Sequence, residues 1–200
     1  LPEKAYSSLV IEESTGDIEI SKDFKFKSID ISLSTGDVKC YASATEAIKI
    51  AASTGDIFAE SISAGSLDIT VSTGKVTVSS VTCEGDITVG VSTGKAYLTD
   101  VTCKNLTSTG STGDVSLRNV ISKEKISVER STGDVTLDRS DAAELFIMTS
   151  TGDVEGSLLT NKVFITKTDT GRINVPNSIT GGRCEITTET GDIKISISED

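Results

Sequence analysis

Ten Thr-Gly dipeptides form a regularly spaced series along this chain of 200 residues, and their spacing is the strongest constraint on the fold. Successive glycines are 19 or 20 residues apart throughout. A fixed period of this length is typical of solenoids, in which one repeat cannot bury its apolar side alone and stacks on its neighbours. The ten dipeptides are Thr15-Gly16, Thr35-Gly36, Thr54-Gly55, Thr73-Gly74, Thr93-Gly94, Thr112-Gly113, Thr132-Gly133, Thr151-Gly152, Thr170-Gly171 and Thr190-Gly191.

Apolar and polar residues alternate on both sides of each glycine. In the second repeat, apolar residues stand seven, five and three positions before the glycine and two and four after it, namely Ile29, Ile31, Leu33, Val38 and Cys40. Such alternation, rich in β-branched residues, predicts strands with one buried face, and no segment shows a helical period. The chain is therefore predicted to be all-β: a single-stranded parallel β-solenoid, or β-helix, of about ten coils. Right-handed winding is the expected hand.

One domain is expected to fill residues 1–200, because a chain of this length can bury a substantial core. The repeats run through residues 9–198, and residues 1–8 are expected to be an N-terminal cap or lead-in. The run Ile193–Ile197 is expected to leave an open strand edge. Either a neighbouring segment outside this sequence or end-to-end self-association would cover that edge.

The threonine and glycine of each repeat are predicted to form a structural corner. Glycine reaches backbone angles that are closed to other residues, which explains its presence at all ten corners. Extending the alternation to the corner predicts that each threonine also faces inward. Its methyl group could pack there, and its hydroxyl could bond turn amides or the threonine of the next coil.

Aspartate follows the corner glycine in seven repeats, so a solenoid would stack these carboxylates into a file about 5 Å apart. One hypothesis is a structural file that accepts turn amides and pairs with intervening basic residues; the other is weak calcium binding. The structural role is favoured because one carboxylate per coil is sparse for calcium, and Lys75 and Lys95 interrupt the file. The weak calcium candidates are Asp17, Asp37, Asp56, Asp114, Asp134 and Asp153, and Asp192 completes the series.

The composition excludes several kinds of function. The absence of His removes His-based catalytic triads, zinc proteases and most transition-metal sites, and no cofactor is expected. A net charge of −11 argues against nucleic acid as a partner, and no apolar segment is long enough for membrane insertion. The four cysteines lack metal-binding spacing and are expected to be reduced and buried. Cys83 and Cys103 fall in one column on adjacent coils, where stacked thiols are favoured over a disulfide.

Two functions known for parallel β-solenoids are disfavoured. Ice binding needs outward Thr-x-Thr pairs, and the residue two positions before each corner threonine varies. Polysaccharide-cleaving enzymes grow long loops that wall a cleft, whereas this period never leaves 19 to 20 residues and the eight aromatic residues are scattered. The chain is therefore predicted not to be an enzyme, with no catalytic residues.

With Ser-Thr-Gly-Asp repeated between Leu9 and Ile197, the chain resembles a bacterial family of suspected adhesins built from such repeats. The resemblance implies a right-handed β-solenoid without assigned catalytic residues, placed at or near the bacterial envelope. Some members are linked to envelope-stress signalling. The departures from the motif are Lys75, Lys95 and Arg172 in place of Asp, Asp169 and Glu189 in place of Ser, and a weak strand at residues 106–110.

These observations together predict a non-enzymatic, extracytoplasmic protein of the cell surface or envelope. Its 28 Ser and 27 Thr residues would form a rigid polar face that binds a protein or a surface glycan. The alternative is a regulatory module that senses envelope stress or controls a membrane-bound partner. Any targeting or anchoring segment would lie outside these residues.

Overall fold

The computed structural model describes residues 5–198. All regular secondary structure in that range is β-strand. None of these residues lies in a helix long and apolar enough to cross a membrane. The strands are β1 (Ala5–Thr15), β2 (Ile18–Ile20), β3 (Lys25–Thr35), β4 (Val38–Cys40), β5 (Ser43–Thr54), β6 (Ile57–Glu60), β7 (Ser63–Thr73), β8 (Val76–Cys83), β9 (Asp86–Thr93), β10 (Ala96–Thr112), β11 (Val115–Thr132), β12 (Val135–Ser140), β13 (Glu144–Thr151), β14 (Val154–Leu158), β15 (Lys162–Thr170), β16 (Ile173–Asn174), β17 (Gly182–Thr190) and β18 (Ile193–Ile197).

The strands pair in parallel, and two main ladders run along the molecule. The strands before the corners stack in the order β1, β3, β5, β7, β9, β10, β11, β13, β17, β15. Those after the corners stack in the order β2, β4, β6, β8, β10, β11, β12, β14, β18, β16. The predicted all-β parallel β-solenoid is confirmed. We number its coils 1 to 10 in chain order by their corner glycines, Gly16 to Gly191.

The core lies inside the coils, at the positions that the alternation predicts. In coil 4, Leu67, Ile69 and Val71 before the corner and Val76 and Val78 after it are all buried. Residues between them point towards solvent or are half-buried. Branched aliphatic side chains suit this narrow interior, because facing sheets lie only about 10 Å apart.

The corner glycines are required by two separate features of the backbone. All ten have a positive φ, between 122° and 156°, which other residues rarely adopt. From the second coil onwards, a Cβ would also overlap the carbonyl oxygen of the corner glycine in the adjacent coil, as at Gly94 against Gly74. The corners therefore stack more closely than any side chain allows.

The prediction that the corner threonines face inward is wrong, because all ten are exposed. The inward alternation ends two residues earlier: Leu33 is buried, whereas Thr35 is exposed. The chain leaves strand geometry at the corner, so counting by twos no longer gives the direction of a side chain. In the last three coils of the stack, Thr149, Thr188 and Thr168 occupy that earlier position, and each donates a hydrogen bond to a corner glycine carbonyl in the neighbouring coil.

Coil 1 begins earlier than the sequence suggests. The sequence predicts a cap or lead-in over residues 5–8, whereas in the structure these residues are the first part of β1 and pair with β3. The rest of that segment, residues 1–4, lies outside the described residues. Beside this first coil, Tyr6, Phe24 and Phe26 form an aromatic cluster with ring centroids 5.7 to 6.4 Å apart. The cluster provides apolar cover at this end of the core.

The last coil along the chain is not the last coil in the stack. Strand β17 lies between β13 and β15, and β18 lies between β14 and β16. Coil 10 is therefore inserted between coils 8 and 9. In the run Ile193–Ile197, expected to be an open edge, Ile193 and Lys194 are covered by β16, whereas residues 195–197 pair only with β14 among the described strands. The open edge at this end therefore consists of β15, β16 and the last part of β18.

A buried ion pair fastens the inserted coil. Nζ of Lys162, at the start of β15 in coil 9, lies 2.5 Å from Oδ1 of Asp141, which follows β12 of coil 7. Between them, coil 10 places Gly182 in register with Lys162, and a Cβ there would overlap the carbonyl oxygen of Ala143. The lysine side chain thus passes coil 10 at a position where that coil has no side chain. It connects coil 9 to the segment after β12 that carries Asp141.

A buried arginine explains the weak strand at residues 106–110. Arg130 of coil 7 points inward and is only 2% exposed. Its guanidinium donates to Oγ of Ser108 at 3.1 Å and to the carbonyl of Val91, two coils away, at 3.4 Å. A Cβ on Gly110 would overlap the same guanidinium. The small residues in this strand therefore provide the space that the arginine fills.

Replacing Gly94 with Ala is expected to destabilise the protein by about 2 kcal/mol or more, because a positive φ is costly for alanine. The new Cβ would also overlap the carbonyl oxygen of Gly74. Gly90→Ala is the matched control, since its φ is not positive and the nearest atom is a methyl of Thr70 at 3.0 Å. Chemical denaturation measures both variants, and equal losses would contradict the corner requirement.

Lys162→Met is expected to destabilise the protein by about 3–5 kcal/mol, because it leaves the buried Asp141 carboxylate without its cation. Combining it with Asp141→Asn should recover part of that loss, since no buried charge is then left unpaired. Hydrogen exchange should rise most in residues 182–198 of the inserted coil. A uniform rise along all coils would show that this pair does not fasten coil 10.

Candidate functional site

The aspartates after the corners form one file along an edge of the rod. Oδ1 of each aspartate accepts the backbone N–H at the same position of the next coil in the stack, over 2.7 to 3.2 Å. All six calcium candidates make this bond. In stacking order, the file is Asp17, Asp37, Asp56, Lys75, Lys95, Asp114, Asp134, Asp153, Asp192 and Arg172.

Basic residues stand where the file lacks an aspartate. Each pairs with a carboxylate of an adjacent coil: Lys75 with Asp56 at 3.3 Å, Lys95 with Asp114 at 2.8 Å and Arg172 with Asp192 at 3.2 Å. The hydrogen bond from Lys95 holds the pKa of Asp114 below its usual range, and the backbone N–H of Arg172 lowers the pKa of Asp192. Because these pairs are largely exposed, water and salt screen them, and their main effect is to relieve repulsion along the file.

The file is a hydrogen-bond ladder rather than a cluster of free ligands. Each coil contributes at most one carboxylate, and one oxygen of that carboxylate already holds an amide, whereas calcium takes six to eight oxygens. Within residues 5–198, no three side chains of the types His, Cys, Asp and Glu are placed to hold one metal ion.

A groove of about 860 Å³ runs along the outside of coils 1 to 6, next to the corners. Its walls are outward residues four and two positions before each corner glycine, and these are small. At the first position, coils 2 to 6 carry Ser32, Ala51, Thr70, Gly90 and Thr109; at the second, coils 1 to 5 carry Ser14, Ser34, Ser53, Ser72 and Ser92. Hydroxyl groups thus repeat about every 4.8 Å over a length of about 24 Å.

The groove ends where larger side chains replace the small ones. Glu12 and Glu13 line its N-terminal end. In coils 7 and 8, the column four residues before the glycine carries Glu129 and Met148, both exposed, and Met148 lies with Phe146 in a smaller hollow. The groove therefore has acidic residues at or just beyond both ends and is rich in hydroxyls between them, and none of its described lining residues is aromatic.

The sequence prediction of a polar face did not locate this groove. That prediction rests on the abundance of Ser and Thr, and these residues also cover the corners and the other sides of the coils. The informative signal is the size of the residue four positions before the glycine, which is small in every coil from Ser32 to Thr109 and becomes large at Glu129 and Met148. The position of the concave outer surface depends on the backbone bend at the corner. Residue types alone do not specify that bend.

All four cysteines are unbridged and buried. Burial raises the pKa to about 11 for Cys40 and Cys103 and to about 12 for Cys184, and it also raises the pKa of Cys83. Very little thiolate is present at neutral pH, which disfavours a nucleophilic or metal-binding role for these thiols.

One family model matches the chain, in two overlapping pieces. The family described as Toastrack DUF4097 matches residues 1–91 and residues 82–200. The pieces overlap at β8 and β9, where β10 pairs with both strands and the ladders continue unbroken. No curated protein and no solved structure was found to match the chain.

Acid is expected to weaken the aspartate file. Because Lys95 lowers the folded-state pKa of Asp114, the stabilisation from this carboxylate is complete above the unfolded value of about 3.9 and is lost as the pH falls through the folded value. The melting temperature should therefore fall as the pH drops below about 4. Asp114→Asn should lower it at pH 7 and reduce its fall in acid. Asp30→Asn, at an exposed aspartate outside the file, should keep the wild-type acid slope; an equal effect of both changes would contradict the assignment.

Proposed function

The chain belongs to the Toastrack DUF4097 family, and on that premise we propose that it is a non-enzymatic binding rod of the cell surface or envelope. The groove of coils 1 to 6 is the observation that carries the proposal, because it is a long concave surface on a rigid parallel scaffold. Its hydroxyl groups offer donors and acceptors at a constant spacing. An extended ligand lying along the axis of the rod would use all six coils.

A polypeptide segment with basic residues is the ligand that this surface favours. Glu12 and Glu13 line the groove at one end, Glu129 lies in the coil beyond its other end, and no cation is among its described lining residues, on a chain of net charge −11. Complementary charge would speed and orient the encounter with a basic partner. The absence of aromatic lining side chains makes a glycan, which stacks its sugar rings on such side chains, the less favoured ligand.

Adhesion is the role that we assign to this binding, with the partner on another cell or surface. The regulatory alternative would use the same groove for a membrane-bound protein of the same cell. The two roles therefore differ in the partner rather than in the surface, and identifying the molecule that occupies the groove separates them.

The test places a photo-crosslinking amino acid at Thr70, inside the groove, and separately at Thr102, an exposed threonine on another side of the coil. On intact cells, crosslinking to a protein is expected at Thr70 and not at Thr102. Adding Ala51→Lys should reduce the Thr70 product about tenfold or more, because the new cation fills the groove and repels a basic ligand.

The control for stability is Thr102→Lys, which adds the same charge outside the groove and should leave crosslinking at Thr70 unchanged. Equal crosslinking at both positions, or none at Thr70, would contradict the proposal. A crosslinked product whose added mass is removed by glycosidases would show that the ligand is a glycan rather than a polypeptide. Surface proteolysis of intact cells tests the proposed extracytoplasmic location.

A further inference from the structure

Both ends of the rod present open strand edges. Among the described strands, β1 and β2 of coil 1 pair only with β3 and β4. At the other end, β15 and β16 of coil 9 pair only with β17 and β18. An open parallel edge carries backbone donors and acceptors that can pair with another strand.

Apolar side chains are exposed at the same two ends. Val10 of coil 1 is 65% exposed, and Ile165 and Ile173 of coil 9 are 48% and 44% exposed. At the inward positions, Leu9 of coil 1 and Phe164 of coil 9 are only partly buried, although equivalent residues inside the stack are fully covered. Each end therefore exposes apolar surface that a further coil would bury.

The register between coils is constant, so it defines what a second copy would bring to each end. Throughout the stack, the threonine of one corner faces the threonine of the next, as Thr15 faces Thr35. If Thr170 faces Thr15 of a second copy in the same way, Ile165 lies against Val10 and Ile173 against Ile18. The apolar residues of the two ends then coincide.

The charges at the two ends are also complementary in this register. Lys167 of coil 9 lies opposite Glu12, and Arg172 lies opposite Asp17, when the corners are aligned. The second pair has a precedent inside the rod, where Lys95 of one coil pairs with Asp114 of the next coil at 2.8 Å. Opposite charges thus meet at two outward positions of the contact, and at one of them Lys167 also pairs with Asp169 of its own coil at 3.2 Å.

We propose that the coil 9 end of one rod binds the coil 1 end of a second copy, in the parallel register that stacks the coils within each rod. The contact joins two different surfaces, so it repeats without closing and produces end-to-end chains of rods. It does not depend on a ligand in the groove, and its test is independent of the crosslinking experiment.

Charge reversal at the two ends tests the register. Glu12→Lys and Lys167→Glu each place like charges across the contact, and each alone should weaken self-association about tenfold in sedimentation velocity up to about 1 mM protein. A mixture of the two variants should associate as strongly as the wild type, because every junction between different variants then joins opposite charges. Within one rod the two positions are at opposite ends, so only contacts between copies explain this recovery.

Lys123→Glu is the matched control, with the same charge change at an exposed position in the middle of the rod. It should associate as the wild type does. Misfolding cannot imitate the recovery in the mixture, because both variants must be folded to produce it. A wild-type rod that stays monomeric up to about 1 mM, single variants that associate normally, or a mixture that does not recover would each overturn the proposal.

Discussion

The close stacking of corner backbones is the constraint on which the rest of the structure depends. Parallel coils lie about 4.8 Å apart, and at the corner the carbonyl of one glycine occupies the place where a Cβ of the next would be. Only glycine satisfies this distance and the positive φ together. Fixing one residue in every coil fixes the register of all neighbouring strands, and the inward columns of Ile, Val and Leu follow from that register.

The same constraint accounts for the aspartate. A turn interrupts the ladder of backbone hydrogen bonds, and a buried or half-buried amide without a partner is costly. The Asp carboxylate supplies the acceptor, since Oδ1 of Asp37, for example, accepts the N–H of Asp56 at 2.8 Å. A file of like charges results, and Lys75 and Lys95 divide it near the middle of the rod. The recurrent Ser-Thr-Gly-Asp motif is therefore explained by backbone geometry before any ligand is considered.

The sequence predicts the features that depend on local pattern, and it misses those that depend on distant coils. The strands, the corner glycines and the core columns follow from a period of two inside a period of 19 to 20. The direction of Thr35 does not, because alternation ends where the strand bends. The concave outer groove depends on the same bend. Nor does the alternation anticipate that Arg130 would fill the space above Ser108 and Gly110, since that contact joins separate coils.

The inserted position of coil 10 has a physical basis that can be read from two columns. At the inward positions, coil 10 offers Cys184 and Ile186 where coil 9 offers Phe164 and Thr166, so placing coil 10 inside buries the more aliphatic strand and leaves the threonine nearer the end. The aspartate file favours the same order. Asp192 accepts the amide of Arg172 at 2.8 Å. In simple chain order Arg172 would precede Asp192, and Arg172 has no carboxylate to accept the backbone N–H of Asp192.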